Sequence, residues 1–379
     1  MKKLAIIGAG RMACIFAKNA EEMGIETHCF AWKQGALAAD KVDFFYPISI
    51  FEKDKILEKC VEIGIGGIVA TTELTISIVA YVAEKMGLNG NPCRIADVIT
   101  DKYRNRRITA NIKDLYHPKF AEIASKQDIY ALNFKFPLIL KPTSKGGKRG
   151  VSVIYGEEDI SKAFDYASRE TDEGSKFILE EYIDGGREYS VESLSYKGRN
   201  FIIQVTEKES SGAPHCVELA HHQPADISYD MRMKIEAVLN EAITAIGIEN
   251  GPCHTEIKIK DDKIYLIEFN ARPGGDHIAY PLTELSTGYP YIKGIISVAF
   301  NEFESIDTST FKKSYAGVVF ITEQTKELKP LFDICQKYKW CYQKNEVNKE
   351  LTSLLHNNGY ETNYFIYYSD VSRPEFDLY

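Results

Sequence analysis

The chain has 379 residues, 44% of them hydrophobic and 26% charged, with a formal net charge of −8. This is the balance of a soluble globular protein with two or three domains and ample core. It argues against a nucleic-acid or anionic-membrane partner, and no uninterrupted apolar run is long enough to span a bilayer.

The opening MKKLAIIGAGRMAC has only a short apolar run before Arg11, so it reads as a strand at residues 3–7 and not as a signal peptide. The turn Gly8-Ala-Gly10-Arg-Met-Ala13 follows, then a helical pattern to about Met23. Strands at 26–30 and 67–70 alternate with helices at 53–63 and 76–86, the pattern of a parallel, doubly wound sheet ending near Thr100. A GxGxxA turn can hold a dinucleotide pyrophosphate at a helix N-terminus, given an acid at the end of the second strand to bind the ribose. Residues 28–32 read His-Cys-Phe-Ala-Trp, with no such acid, so the turn is one that merely needs glycine. Eight cysteines, at 14, 29, 60, 93, 216, 253, 335 and 341, form no CxxC pair. Reduced thiols in a cytoplasmic protein are the plain reading.

A basic helical stretch spans 101–110, and a small α+β unit follows: a strand at 136–141, another at 151–155, a helix at 158–170 and a strand at 177–182. Between its first two strands lies Lys145-Gly146-Gly147-Lys148-Arg149-Gly150, entered from Lys141. Glycines let backbone N–H groups approach phosphate oxygens, and the basic side chains add positive field. The loop joins two strands, unlike a Walker A loop, which opens a helix; a basic surface hairpin has the same look.

Residues 177–192, FILEEYIDGGREYSVE, bring Glu180, Glu181 and Ile183 to the end of a strand and Glu188 onto the next. A backbone linker of this kind can read an adenine edge and a nearby carboxylate can accept from ribose hydroxyls, although an acidic hairpin is equally common. An antiparallel region runs from Tyr189 to about Asn270, with a helix at 231–246.

The most informative stretch is 264–276, IYLIEFNARPGGD. Glu268, Asn270 and Arg272, at i, i+2 and i+4, share one face of a strand. A carboxylate and an amide oxygen together suit a hard cation such as Mg²⁺, and a guanidinium beside them can grip a carboxylate or phosphate. Glu256 lies on the preceding strand, with residues 260–263, KDDK, as the turn between them. A three-residue loop would set Glu256 directly opposite Glu268, and a four-residue loop one residue off. Facing carboxylates repel unless a cation neutralises them. The tail from about Ser305 is polar and Lys-rich, with Tyr and Phe interspersed.

Taken together, Lys141–Gly150, Glu180–Glu188 and Glu268-Phe-Asn270-Ala-Arg272 resemble the ATP-grasp superfamily of carboxylate–amine ligases, whose members include D-alanine–D-alanine ligase, L-amino-acid ligases and the carbamoyl phosphate synthetase large subunit. The resemblance covers roughly residues 1–300. It implies an α/β plus α+β architecture, the ATP-grasp fold with an N-terminal doubly wound pre-ATP-grasp domain. The implied divisions are a first domain at 1–100, a lid subdomain with the phosphate loop at 101–185, a catalytic subdomain with the metal site at 186–304, and a C-terminal segment at 305–379 packed on the core.

The resemblance also implies roles. Lys102 would touch phosphate, and Lys141 would hold the α- and β-phosphates. Lys145, Gly146, Gly147 and Gly150 would close over the γ-phosphate. Glu180, Glu181 and Ile183 would frame adenine, the latter two largely through backbone, and Glu188 would bind the ribose. Glu256, Glu268 and Asn270 would hold Mg²⁺, with Mn²⁺ as an alternative. Arg272 would steady the transferring phosphoryl group, which makes Arg272, Lys141 and Glu268 the expected catalytic residues. In the segment Glu218-Leu-Ala-His221-His222, Glu218 and His221 would border the substrate cleft, together with Arg272, Gly274 and Gly275. The implied cofactors are ATP and Mg²⁺, and the implied partners are a small carboxylic acid and an amine. The implied chemistry is ADP-forming C–N ligation through an acyl phosphate. Dimers are frequent among relatives. A nucleotide-binding module without catalysis and a ligase using a thiol or carrier-bound acceptor are the alternatives.

Overall fold

The computed structural model describes residues 1–144, 146, 149–212, 217–353 and 359–376. Of the expected site residues, Lys145 and Gly147 lie outside the described residues. Among the described residues, no helix is long and apolar enough to cross a membrane.

Four parallel strands open the chain, in the spatial order Phe44–Tyr46, Glu26–Phe30, Lys3–Ile7, Gly67–Ala70. Parallel neighbours need crossover helices, which cover both faces of the sheet. The residues of Lys3–Ile7 accordingly alternate between two cores. Leu4 and Ile6 pack on the helix Arg11–Glu22, while Ala5 and Ile7 pack against Ile56, Cys60, Ile78 and Val82 of the helices Lys53–Ile63 and Ile76–Met86. Gly8 has φ +95°, and a Cβ there would collide with the Thr71 hydroxyl, so glycine is required at that turn. The fourth strand runs into a short 3-10 turn, Glu73–Thr75, which carries Glu73 to the carboxyl edge of the sheet.

A second, antiparallel sheet has the order Phe120–Ile123, Phe177–Glu181, Leu138–Pro142, Ser152–Ile154. It closes its own small core with the helix Glu157–Arg169, through Leu138, Leu140, Ile154, Ile160 and Leu179.

Among the described residues the third sheet has nine strands, and three of them come from the segment 305–379. Cys341–Asn345, Asn363–Ser369 and Tyr315–Ile321 form one side, followed by Glu218–Gln223, Arg199–Ser210, Arg187–Tyr196, Gly251–Lys260, Lys263–Asn270 and Leu115–Tyr116. The polar look of the tail conceals strand positions that are wholly buried, Phe365, Ile366 and Tyr367 among them. The helix Tyr229–Ile246 lays Ile235, Leu239, Ala242, Ile243 and Ile246 on this sheet, a 3.6-residue stripe.

The turn before Lys263 differs from both lengths the sequence suggests. Lys260 pairs with Lys263, so only Asp261 and Asp262 lie between, at φ +49° and +58°, as a two-residue hairpin loop of this twist requires. Regular pairing from that loop would set Glu256 opposite Ile267. A bulge intervenes: Ile257 pairs with Leu266 and Glu256 with Glu268, leaving Ile267 as the extra residue.

Candidate active site

A cavity of about 620 Å³ separates the second sheet from the nine-stranded one. Lys102, Lys141, Glu180, Glu181, Ile183, Glu188, Glu256 and Glu268 all line it, so most of the residues expected to meet ATP converge there. Ile139, Val151 and Val153 form an apolar wall on the side of the second sheet, and Ile257 and Ile267 form one on the other.

Buried ion pairs fix the charged groups around this space. The Glu180 carboxylate, 2% exposed, accepts from Arg106 Nε at 2.8 Å and from Lys141 Nζ at 2.7 Å. Burial pushes its pKa up, but the two cations outweigh burial and hold it at about 2. Glu180 therefore orients Lys141. Arg106 also donates to the carbonyl of the bulged Ile267 at 2.7 Å, which ties the bulge to the same network. The Ile183 carbonyl accepts from Lys258 Nζ at 2.9 Å.

The paired acids are each neutralised by a lysine. Lys102 Nζ lies 3.0 Å from Glu268 Oε1, and Lys208 Nζ lies 2.9 Å from Glu256 Oε1 and 2.7 Å from Glu218 Oε1. Lys208 is buried, yet the two carboxylates raise its pKa above the ordinary lysine value against the effect of burial. Burial opposes the charge on Glu256 as well, and Lys208 reverses the balance to keep it ionised.

Arg272 lies outside the lining of this cavity and meets the 3-10 turn that follows the first sheet. Its Nε donates to Glu73 Oε1 at 3.1 Å, and Nη2 contacts the same oxygen. Burial raises the Glu73 pKa, but Arg272 overrides it and brings the carboxyl to about 2. Beside this pair, His254 Nδ1 lies 2.5 Å from Glu192 Oε1, and the other Glu192 oxygen accepts the Gly274 N–H at 3.1 Å. Burial disfavours the His254 imidazolium; Glu192 overcomes it and lifts the pKa to about 9. A Cβ on Gly274 would meet Glu192 Oε1 at 2.5 Å and His254 Nδ1 at 2.7 Å, so this glycine is required by close approach.

Asn270 is buried and pairs across the strands with His254, one step from the Glu256–Glu268 pair. Glu218 and His221 sit on the strand Glu218–Gln223, joined to the paired acids through Lys208. Gly146 of the phosphate loop lies against Glu73, and Gly150 adopts φ +70° with Pro142 2.9 Å from where a Cβ would stand. Gly275 has open space around it. The cavity thus gathers most of the residues expected to meet ATP, and Arg272, Gly274, Glu218 and His221 lie outside its lining.

Five site residues escape the sequence reading: Arg106, Glu73, Lys208, Glu192 and His254. A usable signal existed for two of them. Glu188, Ser190 and Glu192 alternate along one strand face, as Lys258, Glu256 and His254 do along the next, and the register pairs Glu192 with His254. Nothing local marks Glu73 or Arg106, whose partners lie 199 and 74 residues away.

A family model for the ATP-grasp domain matches residues 134–280. In sequence, the chain is 27% identical over 270 residues to the alanine–anticapsin ligase of Bacillus subtilis (strain 168), covering 62% of this chain and 56% of that one. It is 25% identical over 181 residues to the carbamoyl phosphate synthase large chain of Vibrio parahaemolyticus, covering 47% and 16%. The chain therefore spans about half or less of the length of these curated relatives. The crystal structure of an L-amino acid ligase from Bacillus licheniformis aligns with a TM-score of 0.82 over 98% of this chain and 94% of that one, at 23% identity, a likeness of fold. Residues 134–280 are an ATP-grasp domain, set in a chain that has the ATP-grasp fold along nearly its whole length.

Proposed function

We propose that this protein is an ATP-dependent ligase that phosphorylates a small carboxylic acid to an acyl phosphate and couples it to an amine, releasing ADP and phosphate. The observation that carries the reading is the facing pair Glu256 and Glu268 in a cavity that also holds Lys102 and Lys141. Two carboxylates and the Asn270 amide are hard oxygen donors, and the lysine on each acid marks the pair as a place that demands positive charge. Glu256, Glu268 and Asn270 would hold Mg²⁺, or Mn²⁺ in its place. The ion, when bound, supplies charge neutralisation at the phosphate oxygens.

The apolar walls suit a planar base between Ile139, Val151 and Val153 on one side and Ile257 and Ile267 on the other. Lys141, steadied by Glu180, is poised for the α- and β-phosphates. A carboxylate attacking a γ-phosphoryl group brings like charges together, so positioned cations contribute most of the catalysis. Arg272, held by Glu73, would steady the transferring phosphoryl group, and the glycine-rich loop would close to keep water from the acyl phosphate. Free thiols at Cys29, Cys60 and Cys253 accord with a reducing compartment such as the cytoplasm.

Hydroxylamine traps acyl phosphates without knowledge of the natural amine. Incubation with Mg-ATP, hydroxylamine and pooled carboxylic acids is expected to yield a hydroxamate, read by mass spectrometry, and ADP. Glu268→Gln and Arg272→Ala should each abolish ADP formation in a protein that stays folded. Normal turnover in either variant would overturn the site assignment, and ATP binding without ADP from any acid would favour a binding module.

A further inference from the structure

The C-terminal segment, to which the sequence assigns no role, carries two thiols that the nucleotide cavity does not use. Cys335 is fully buried in the 3-10 turn Cys335–Lys337, and Cys341 opens the strand Cys341–Asn345. The Cys341 thiol donates to Cys335 Sγ across 3.7 Å, and both thiols are free. Two successive turns hold the ends together: the Tyr338 N–H donates to the Cys335 carbonyl at 2.9 Å, and the Cys341 N–H donates to the Tyr338 carbonyl at 3.1 Å. Disulfide sulfurs stand about 2.05 Å apart, so closure asks for a side-chain movement of under about 2 Å. The surroundings of the two thiols differ. Burial, and then the contact with Cys341, push the Cys335 pKa above the ordinary thiol value, whereas Cys341 is only half-buried and within reach of a small solute. Lys344 Nζ stands 4.2 Å over the Phe332 ring and donates to the Asp333 carbonyl at 3.4 Å, which keeps a positive charge beside the pair. Positive surroundings favour the thiolate, the reactive form. Cys335 packs in one core with Ala220 of the strand Glu218–Gln223, with Val319 and Ile321, and with Phe332 and Phe365. A covalent link here would fasten the end strand of the nine-stranded sheet to that core.

We infer that Cys335 and Cys341 form a reversible oxidation site: a hydroperoxide oxidises Cys341 first, Cys335 resolves it, and the resulting disulfide clips the C-terminal strands in place. The chemistry is independent of the ligase reading. The Cys341 thiolate attacks one oxygen of hydrogen peroxide and breaks the O–O bond, giving a sulfenic acid; the departing hydroxide takes up the proton that the thiol released and leaves as water. The Cys335 sulfur then attacks Cys341 Sγ. The S–S bond forms, the S–O bond breaks, and the Cys335 proton leaves with the hydroxide as a second water. The two thiols lose two electrons and two protons, and the peroxide is reduced to two waters. A small dithiol reverses the link by exchange, becoming a disulfide itself. The first step belongs to Cys341 because it is the accessible thiol, and the second to Cys335 because the fold already holds it in sulfur contact.

The test uses the full chain, reduced, freed of reductant, treated with hydrogen peroxide and blocked with N-ethylmaleimide before digestion. Trypsin cuts after Lys337 and Lys339, so the two cysteines fall in separate peptides, 327–337 and 340–344. Mass spectrometry should find these joined, at two hydrogen atoms less than their sum, and separated again by dithiothreitol. On a non-reducing gel the chain should stay a monomer. In Cys335→Ala the sulfenic acid has no partner, and dimedone should label Cys341. The oxidised wild type should melt about 2 °C or more above the reduced protein, a rise that Cys341→Ser abolishes, since the closed ring restrains the unfolded chain. Cys341 oxidised or capped without the joined peptide, under peroxide that also modifies the half-buried Cys14 or Cys93, would overturn the inference. So would a link that runs as a dimer, or dimedone on Cys335 in Cys341→Ser with none on Cys341 in Cys335→Ala. A joined peptide with no rise in melting temperature would overturn the clip. The wild-type digest decides the link even if a cysteine variant folds poorly.

Discussion

Glu256 and Glu268 face each other because Ile267 is displaced from the ladder between their strands. One added residue changes which side chains meet, since strand side chains alternate with period two. The bulge also frees the Ile267 carbonyl for Arg106, whose other contact is Glu180, the partner of Lys141. One guanidinium thereby ties the bulge between the facing acids to the carboxylate that holds Lys141.

That arrangement makes Arg106 a sensitive position outside the motif. Replacing it with Met leaves Glu180 buried with Lys141 alone and the bulged carbonyl unpaired. Removal of one partner from a buried ion pair costs about 3–5 kcal/mol, so urea unfolding of Arg106→Met should show a loss of that order. ATP affinity should fall with it, because Lys141 loses a fixed anchor. A variant as stable as wild type would show that the guanidinium does not organise the network.

The facing acids are expected to act at the chemical step. Glu256→Gln should lower ADP formation by about 10²–10³, the usual effect of losing one electrostatic group at a reacting centre. Raising Mg²⁺ should recover part of the rate if the loss lies in ion binding. A coupled ADP assay across Mg²⁺ concentrations reads both effects, and an unaltered rate would remove Glu256 from the site.

Gly274 is required by its neighbours and not by its φ angle. In Gly274→Ala the methyl group would stand 2.5 Å from Glu192 Oε1 and 2.7 Å from His254 Nδ1, so the buried pair must shift. Overpacking of this kind costs about 1–3 kcal/mol. Thermal unfolding should detect it, with activity falling more than stability because Arg272 lies two residues before.

His254 gives the fold a pH dependence of known sign. Its folded pKa of about 9 exceeds the ordinary 6.5, so the folded state binds the proton more tightly than the unfolded chain. The stabilisation is complete below about pH 6.5 and is lost as pH climbs through about 9, with a magnitude of about 3 kcal/mol. Denaturant unfolding of wild type and His254→Gln at several pH values should show a gap that narrows from pH 6 to pH 9. A gap constant with pH would mean that folding leaves the imidazole pKa at its ordinary value.

Local sequence carried the outline of this protein. Apolar strands alternating with amphipathic helices specified the doubly wound first sheet, and the i, i+2 spacing of Glu268 and Asn270 placed both on the last strand of the hairpin, whereas Arg272 lies beyond the end of that strand and turns to Glu73. These signals are short-range, and the covalent chain fixes them before any tertiary contact forms.

Tertiary structure alone decided how the charges are partnered. Glu73 meets Arg272 across 199 residues and Lys102 meets Glu268 across 166, distances at which no periodicity survives. The same holds for the polar tail, whose strands complete the nine-stranded sheet and bring Tyr360 and Tyr364 beside His277. A buried charge is tolerable only with its counter-charge in place. Which residue supplies it depends on the fold's closure, a global property that a reading of neighbouring residues does not contain.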